Sequence, residues 1–262
     1  MNTGLKDRLA IVAASSQGIG KATAFGLAAE GCKLALCARN EQNLAVVAEE
    51  IRSRHNVEVF TQAVDVTVPD DIAGFVGTVA QKFGRVDICI TNAGGPPANT
   101  FLKFSIEDWR KAFELNLLST IAFAREVIPH MQKNQWGRLI AITSVAVKQP
   151  IGDLILSNTV RTGVVGLVRS LANEFGKDGI LVNNVGPGYT ATDRLKNLAA
   201  VRSKSLGVEE AEMFRRWAAD TATGKVAQPE DVADAIVFLA SERAASITGQ
   251  TILVDNGSYK GL

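Results

Sequence analysis

The chain of 262 residues is 47% hydrophobic, 21% charged and 6% aromatic, with 28 Lys and Arg against 27 Asp and Glu. At this length folding buries roughly 70–75% of the unfolded chain's surface, so a core forms without disulfide or metal staples. The net charge of +1 leaves no footprint for nucleic acid, and the low-hydrophobicity, high-charge signature of disorder is absent.

The first residues, MNTGLKDRLA, have no signal-peptide layout. Short runs of Val, Ile, Leu and Ala follow at 9–14, 33–38, 57–63, 87–91, 138–144, 181–185 and 251–254. They lack strict polar alternation, as strands buried on both faces do. Helical segments between them carry start signals: Asn40 before 41–54, Pro69 at the first turn of 70–83, a Ser105/Asp108 capping box, and Pro229 before 230–241. This alternation predicts a doubly wound parallel α/β sheet, a Rossmann fold of seven strands with helices on both faces. No linker, composition break or repeat divides the chain, so residues 1–262 read as a single domain. The segment 194–223, rich in Arg, Lys, Glu and Ala, interrupts the rhythm after strand six. It predicts a helical lid over a ligand crevice, with a plain surface helical pair as the alternative; Arg215 and Arg216 within it read as a solvated face.

Cys32, Cys37 and Cys89 are odd in number and form no C-x-x-C. They read as buried apolar residues and not as a disulfide framework. His55 and His130 have no ligand-spaced companions, so no metal is expected. No uninterrupted apolar stretch of about 18 residues predicts a bilayer span. A soluble, cytoplasmic protein without membrane or nucleic-acid partners is the expectation.

The first strand runs into Ala14-Ser15-Ser16-Gln17-Gly18-Ile19-Gly20-Lys21. A glycine turn between strand and helix lets backbone N–H groups approach a pyrophosphate at the helix N-terminus. Strand two ends at Ala38-Arg39-Asn40, with no acid to meet a ribose 2′-hydroxyl. Arg39 fits a 2′-phosphate instead, which favours NADP over NAD. Val64-Asp65-Val66 and Thr91-Asn92-Ala93-Gly94-Gly95 end strands three and four, at the edge where such sheets bind ligands.

Several motifs occur together and in order: Gly18-Ile19-Gly20, Asn92-Ala93-Gly94, Asn116 in Glu114-Leu115-Asn116, Ser144 after strand five, Pro187-Gly188 with Thr190 and Thr192, and Ile247-Thr248-Gly249-Gln250 before Val254-Asp255-Asn256-Gly257. Over its whole length the chain thereby resembles a short-chain dehydrogenase/reductase, most nearly the 3-oxoacyl-acyl-carrier-protein reductase-like group. The resemblance implies an NADP-dependent oxidoreductase acting on a carbonyl or alcohol, either a small molecule or an acyl thioester. It also implies a homodimer or homotetramer, formed through the 163–171 helix and the last strand. Gly18, Ile19 and Gly20 would carry the phosphates, with Ser15 and Ser16 in the same turn. Asp65 and Val66 would flank the adenine, and Asn92, Ala93 and Gly94 would meet the adenosine side. Pro187, Gly188, Thr190 and Thr192 would hold the nicotinamide half. Position 14, glycine in the family's pattern, is alanine here, which suits the turn only at negative φ.

In the family, a Ser after strand five is followed thirteen residues later by Tyr and four further on by Lys. Counted from Ser144, those places hold Ser157 and Arg161, and neither Tyr189 nor Tyr259, the two tyrosines present, can be shifted there. Ser144, Asn116, Ser157 and Arg161 are then the catalytic candidates, with the proton coming from water, Ser144 or Tyr189. Ser157 and Arg161 share one helix face. Serine is a far weaker acid than a phenol, and arginine binds ribose hydroxyls or an oxyanion without donating a proton. Losing a general acid costs about 10²–10⁴-fold in rate. Open alternatives are a helix cap for Ser157, a solvent-facing charge for Arg161, a structural Asn116 and a pocket-lining Tyr189. Two further classes of function also stay open: a cofactor-binding sensor or partner subunit with little catalysis, and an oligomer scaffold that binds no nucleotide.

Overall fold

The first and fifth strands are apolar on both sides because each side meets a layer of helices. Along β1 (Leu9–Ala13), Leu9, Ile11 and Ala13 enter one core while Ala10 and Val12 enter the other. Leu139 and Ala141 of β5 (Gly137–Ile142) oppose Ile140 and Ile142 in the same way. The computed structural model describes residues 2–262. Its other strands are β2 (Lys33–Ala38), β3 (Val59–Ala63), β4 (Ile88–Thr91), β6 (Ile180–Pro187) and β7 (Thr251–Val254). All seven pair in parallel in the order β3-β2-β1-β4-β5-β6-β7. The first core is closed by α3 (Pro69–Phe83), α5 (Ser119–Asn134) and α6 (Ile155–Phe175), the second by α1 (Gly18–Ala29), α2 (Glu41–His55) and α9 (Pro229–Ala240). The order reverses between β1 and β4, which opens a crevice at their carboxyl ends.

The start signals act as expected. The Asn40 side chain accepts the Asn43 N–H at 2.8 Å, Ser105 and Asp108 cap α4 (Ile106–Phe113) reciprocally, and Pro69 and Pro229 open their helices. Some boundaries differ. Strand six runs on to Pro187 because β7 pairs with it as far as Val254. Strand five stops at Ile142, and Ser144 instead caps a short 3-10 turn, its Oγ accepting the Ala146 N–H at 3.1 Å. Strand three begins at Val59, not at 57. Residues Glu114–Leu118 form a π-helical turn between α4 and α5, so Asn116 sits in a bulge and not in a regular helix. Segment 194–223 supplies α7 (Asp193–Leu206) and α8 (Glu210–Ala219), joined after Gly207, with a small core of Leu195, Ala199, Met213 and Trp217.

The amino edge of the sheet is tied by Asp87, which is fully buried. It accepts the Leu9 N–H at 2.8 Å and both the Arg85 Nε and Nη2 at 2.7 Å, with Arg8 at 3.5 Å. Arg8 and Arg138 stack on Trp136, at 3.8 and 4.2 Å from the ring centre. Breaking a buried pair leaves its partners uncompensated. Asp87→Ala is therefore expected to lower the unfolding free energy by about 3 kcal/mol in urea titrations; a loss below about 1 kcal/mol would assign the tie to the surface class.

All three cysteines are free and buried. Burial pushes the Cys32 and Cys37 thiols up to about 12, and Cys89 rises well above the ordinary value. An unfolded thiol ionises near about 8.5. The stability these thiols contribute is therefore complete below that pH and is lost as pH rises toward about 12. The expected decline is about 1.4 kcal/mol per pH unit for each thiol. Denaturation curves at pH 7, 9 and 10 should show it, and Cys32→Ala should make the decline shallower.

Candidate active site

After β1 the chain turns sharply before α1. Ser15, expected near phosphate, is fully buried; its N–H and Oγ both donate to the Cys37 carbonyl, at 3.2 and 3.4 Å. It is a strut between β1 and β2, and it leaves Ser16 and the turn beyond for a ligand. Gly20 packs against the Ala14 carbonyl so closely that a Cβ would collide with that oxygen, and the Asn92 amide lies 3.1 Å from the same point. Held this way, Ala14 adopts φ +49°, the left-handed region and not the negative φ that its Cβ prefers. That conformation costs an alanine about 1 kcal/mol.

The amino end of α1 is left open. Gln17 makes no side-chain cap and the first turn holds no acid. The N–H groups of this turn and the helix dipole thus stand ready for an anion. Thr192 lies over Gly18, with its methyl 3.3 Å from where a Cβ would stand, so α7 begins beside the start of α1. The stretch to Thr192 is pinned by a bridge: Ala191 donates to the Ala227 carbonyl at 2.8 Å and Ala227 to that of Tyr189 at 2.9 Å. Pro187 ends β6, and Gly188 donates to the Val254 carbonyl at 2.9 Å. Thr190 is buried, and its Oγ1 donates to the Gly188 carbonyl at 3.2 Å. Thr192 caps α7, accepting the Leu195 N–H at 3.3 Å.

Arg39 is exposed at the end of β2. Asp65, beyond β3, accepts the Thr67 N–H at 2.9 Å and Oγ1 at 2.7 Å. Those bonds, helped by the Arg39 charge, hold its carboxyl below the usual range. Val66 turns its side chain into the first core, so its backbone alone faces the edge. Asn92 and Ala93 are half-buried and Gly94 is exposed after β4.

Ser144 is half-buried beyond β5. Ser157 is the third residue of α6, whose N-cap is Leu154, so it is not the cap. Arg161, one turn on, is 7% exposed, so it is not a solvent-facing charge. Its Nη1 donates to the Ile142 and Thr143 carbonyls at 3.1 and 2.8 Å, and its Nη2 to those of Ala93 and Gly94 at 3.4 Å. No ion pair to it forms among the described residues. Burial, with the nearby Arg194 charge, lowers its pKa to about 10, so it stays protonated at neutral pH. Asn116 donates from Nδ2 to the Gly94 carbonyl at 3.0 Å, while its buried Oδ1, like Thr91 Oγ1, has no partner.

Tyr189 stacks on Trp217 with ring centres 5.3 Å apart. Burial, with Asp220 adding, raises its pKa, which makes it a weaker acid than free tyrosine. Arg215 and Arg216 both pair with Glu212, at 2.8 and 2.9 Å, a solvated face as expected. Among the described residues no three His, Cys, Asp or Glu gather as metal ligands, and no helix is long and apolar enough to cross a membrane.

The residue missed by the motifs is Arg194. Its Nη2 donates to the Pro96 carbonyl at 2.6 Å, and a Cβ on Gly95 would stand 2.9 Å from that nitrogen. The Gly94-Gly95-Pro96 run was visible in the sequence, but its partner lies 98 residues away.

The strain at Ala14 gives a direct expectation. Ala14→Gly should raise the unfolding free energy by about 1 kcal/mol in urea, while Gly20→Ala should lower it; a neutral Ala14→Gly would mean that the turn bears no strain.

A family model described as enoyl-(acyl carrier protein) reductase matches residues 13–259. The 3-oxoacyl-[acyl-carrier-protein] reductase of Synechocystis is 35% identical over 257 residues, 97% of this chain and 98% of the relative. The corresponding Escherichia coli enzyme is 31% identical over 96% of this chain and 97% of its own. The crystal structure of L-sorbose reductase from Gluconobacter frateurii, complexed with NADPH and L-sorbose, superposes with a TM-score of 0.96 at 31% identity, covering 100% of both chains. With a matching model over nearly its whole length and these relatives, the chain belongs to the short-chain dehydrogenase/reductase family.

Proposed function

We propose that the protein is an NADP-dependent oxidoreductase of a carbonyl or alcohol, 3-oxoacyl thioesters included, with a catalytic centre that lacks the family's Tyr and Lys. The observation that carries this reading is the open amino end of α1, with Arg39 exposed at the neighbouring strand end. The relatives support it: L-sorbose reductase was solved with NADPH, and other relatives are 3-oxoacyl reductases.

The turn at Gly18, Ile19 and Gly20 fits the cofactor phosphates, because a side chain at Gly20 would fill the cradle. Arg39 meets the 2′-phosphate, Asp65 and the Val66 backbone flank the adenine, and Asn92, Ala93 and Gly94 border the ribose. Pro187, Gly188, Thr190 and Thr192 hold the nicotinamide half, which supplies the hydride when bound. Ser144 orients the substrate oxygen, and the Arg161 cation lies beneath to favour negative charge there. Ser157 is too weak an acid to replace a phenol, so solvent supplies the proton. In one domain, α7 and α8 cover the crevice as a lid. A second copy covers the apolar groove lined by Ile106, Trp109, Phe113, Leu117 and Gly163, and β7 lies at the sheet edge, where dimers or tetramers form.

Arg161's four carbonyl contacts favour a second reading, a cofactor-binding subunit with little catalysis. Two measurements separate the readings. The tryptophans should report NADPH binding, and turnover should appear with ketones, quinones or 3-oxoacyl thioesters; binding without turnover defeats the first reading. Ser157→Tyr with Arg161→Lys should lower turnover if the present site works, whereas a rise of about 10²-fold or more marks a disabled one.

A further inference from the structure

The loop after β4 is gripped by two guanidinium groups. Arg161 reaches the Ala93 and Gly94 carbonyls from within the fold, and Arg194 reaches the Pro96 carbonyl from α7. Gly95 gives Arg194 its place, since a Cβ there would meet the guanidinium. The two charges are close enough that Arg194 disfavours the protonated form of Arg161. Nothing of opposite sign answers them. Asp193, beside Arg194, pairs with Lys196 at 3.0 Å, and among the described residues no carboxylate pairs with Arg161 or Arg194. Arg202, two turns further along α7, donates to the Gly152 carbonyl at 2.9 Å and likewise has no acidic partner. Arg215, Arg216 and Lys21, by contrast, have acids at hand. Arg194 is also exposed, and its Nε and Nη1 make no hydrogen bond to the protein.

We infer that the crevice beneath α7 binds an anionic group, a phosphate or carboxylate, on the free edge of Arg194, with the Arg161 charge adding attraction from below. A guanidinium edge takes two oxygens of such a group at once, and these charge-assisted bonds are the strong ones. The inference rests on the crevice assigned under the proposed function. It deepens that reading by naming the charge of what enters: either the cofactor's pyrophosphate or a carboxylate on the substrate.

The test uses the whole protein with inorganic pyrophosphate, malonate and NADPH as probes, read by tryptophan fluorescence and thermal midpoint. Arg194→Gln should weaken anion binding about tenfold or more, Arg194→Lys should restore part of it, and Arg215→Gln, altering a lid arginine already paired, should change nothing. If Arg194→Gln weakens NADPH tenfold while malonate does not bind the NADPH complex, the anion is the cofactor's. If NADPH binding holds and malonate binding to that complex falls tenfold, it is the substrate's. Either result supports the subsite. Should wild type bind pyrophosphate or malonate through Arg194 yet fail to bind NADPH, the cofactor reading fails and the subsite stands. Unchanged probe binding in Arg194→Gln, no anion binding by wild type, or an equal effect of Arg215→Gln would overturn the inference.

Discussion

The carboxyl edge of the sheet depends on one buried cation that has no carboxylate beside it. Arg161 meets four main-chain carbonyls, two at the end of β5 and two just after β4. A desolvated guanidinium is costly, and its partners here are neutral main-chain acceptors where the ladders stop. The planar fork suits that job in a way an ammonium does not: its two Nη groups point at two separate chain segments from a fixed frame. Asn116 adds its amide to the same Gly94 carbonyl from the π turn. The end of β5, the loop after β4, the π turn and α6 are thereby fixed to one another, and Ser144 and Ser157 are carried on them.

Both edges of the sheet bury charge. At the amino edge Asp87 is matched by Arg85, Arg8 and the Leu9 amide, so a buried charge is fully answered. At the carboxyl edge the rules are broken repeatedly. Alanine occupies a left-handed turn, Asn116 Oδ1 and Thr91 Oγ1 are buried without partners, and Arg161 and Arg194 have no acids. The amino edge has departures of its own: Arg138 is buried without a carboxylate, its Nε and the Asn134 Nδ2 lack partners, and Asp7, Asn56 and Gln135 adopt positive φ.

Much of this was legible in the sequence because it depends on local pattern. Two-sided apolar runs such as 9–13 announce strands between two helix layers, and Asn40, Ser105 and Pro229 announce helix starts by chemistry confined to one turn. Strand ends were less legible, since Pro187 belongs to β6 only through its pairing with Val254. The positive φ at Ala14 accompanies the close packing of Gly20 against its carbonyl, a contact no propensity contains. The carbonyl partners of Arg161, a catalytic candidate in the sequence, were hidden for the same reason: they lie 18 to 68 residues away and are groups that every residue has. Arg194 carried no motif at all.

The loss of the phenol and the change of the cation are physically connected on the proposed reading. A phenol becomes a usable acid near neutrality when a cation stands beside it, and Arg161 gives its Nη donors to backbone carbonyls. With Ser157 in place, the candidates at hand are poor acids: burial lowers Arg161 only to about 10 and raises Tyr189 above its ordinary value. Negative charge formed on a substrate oxygen would therefore wait for water. A site of that kind favours reactions whose developing charge is already shared, by conjugation within the substrate or by a second cation at hand. On the proposed reading Arg161 and Arg194, close enough for one to disfavour the charge of the other, supply the second condition.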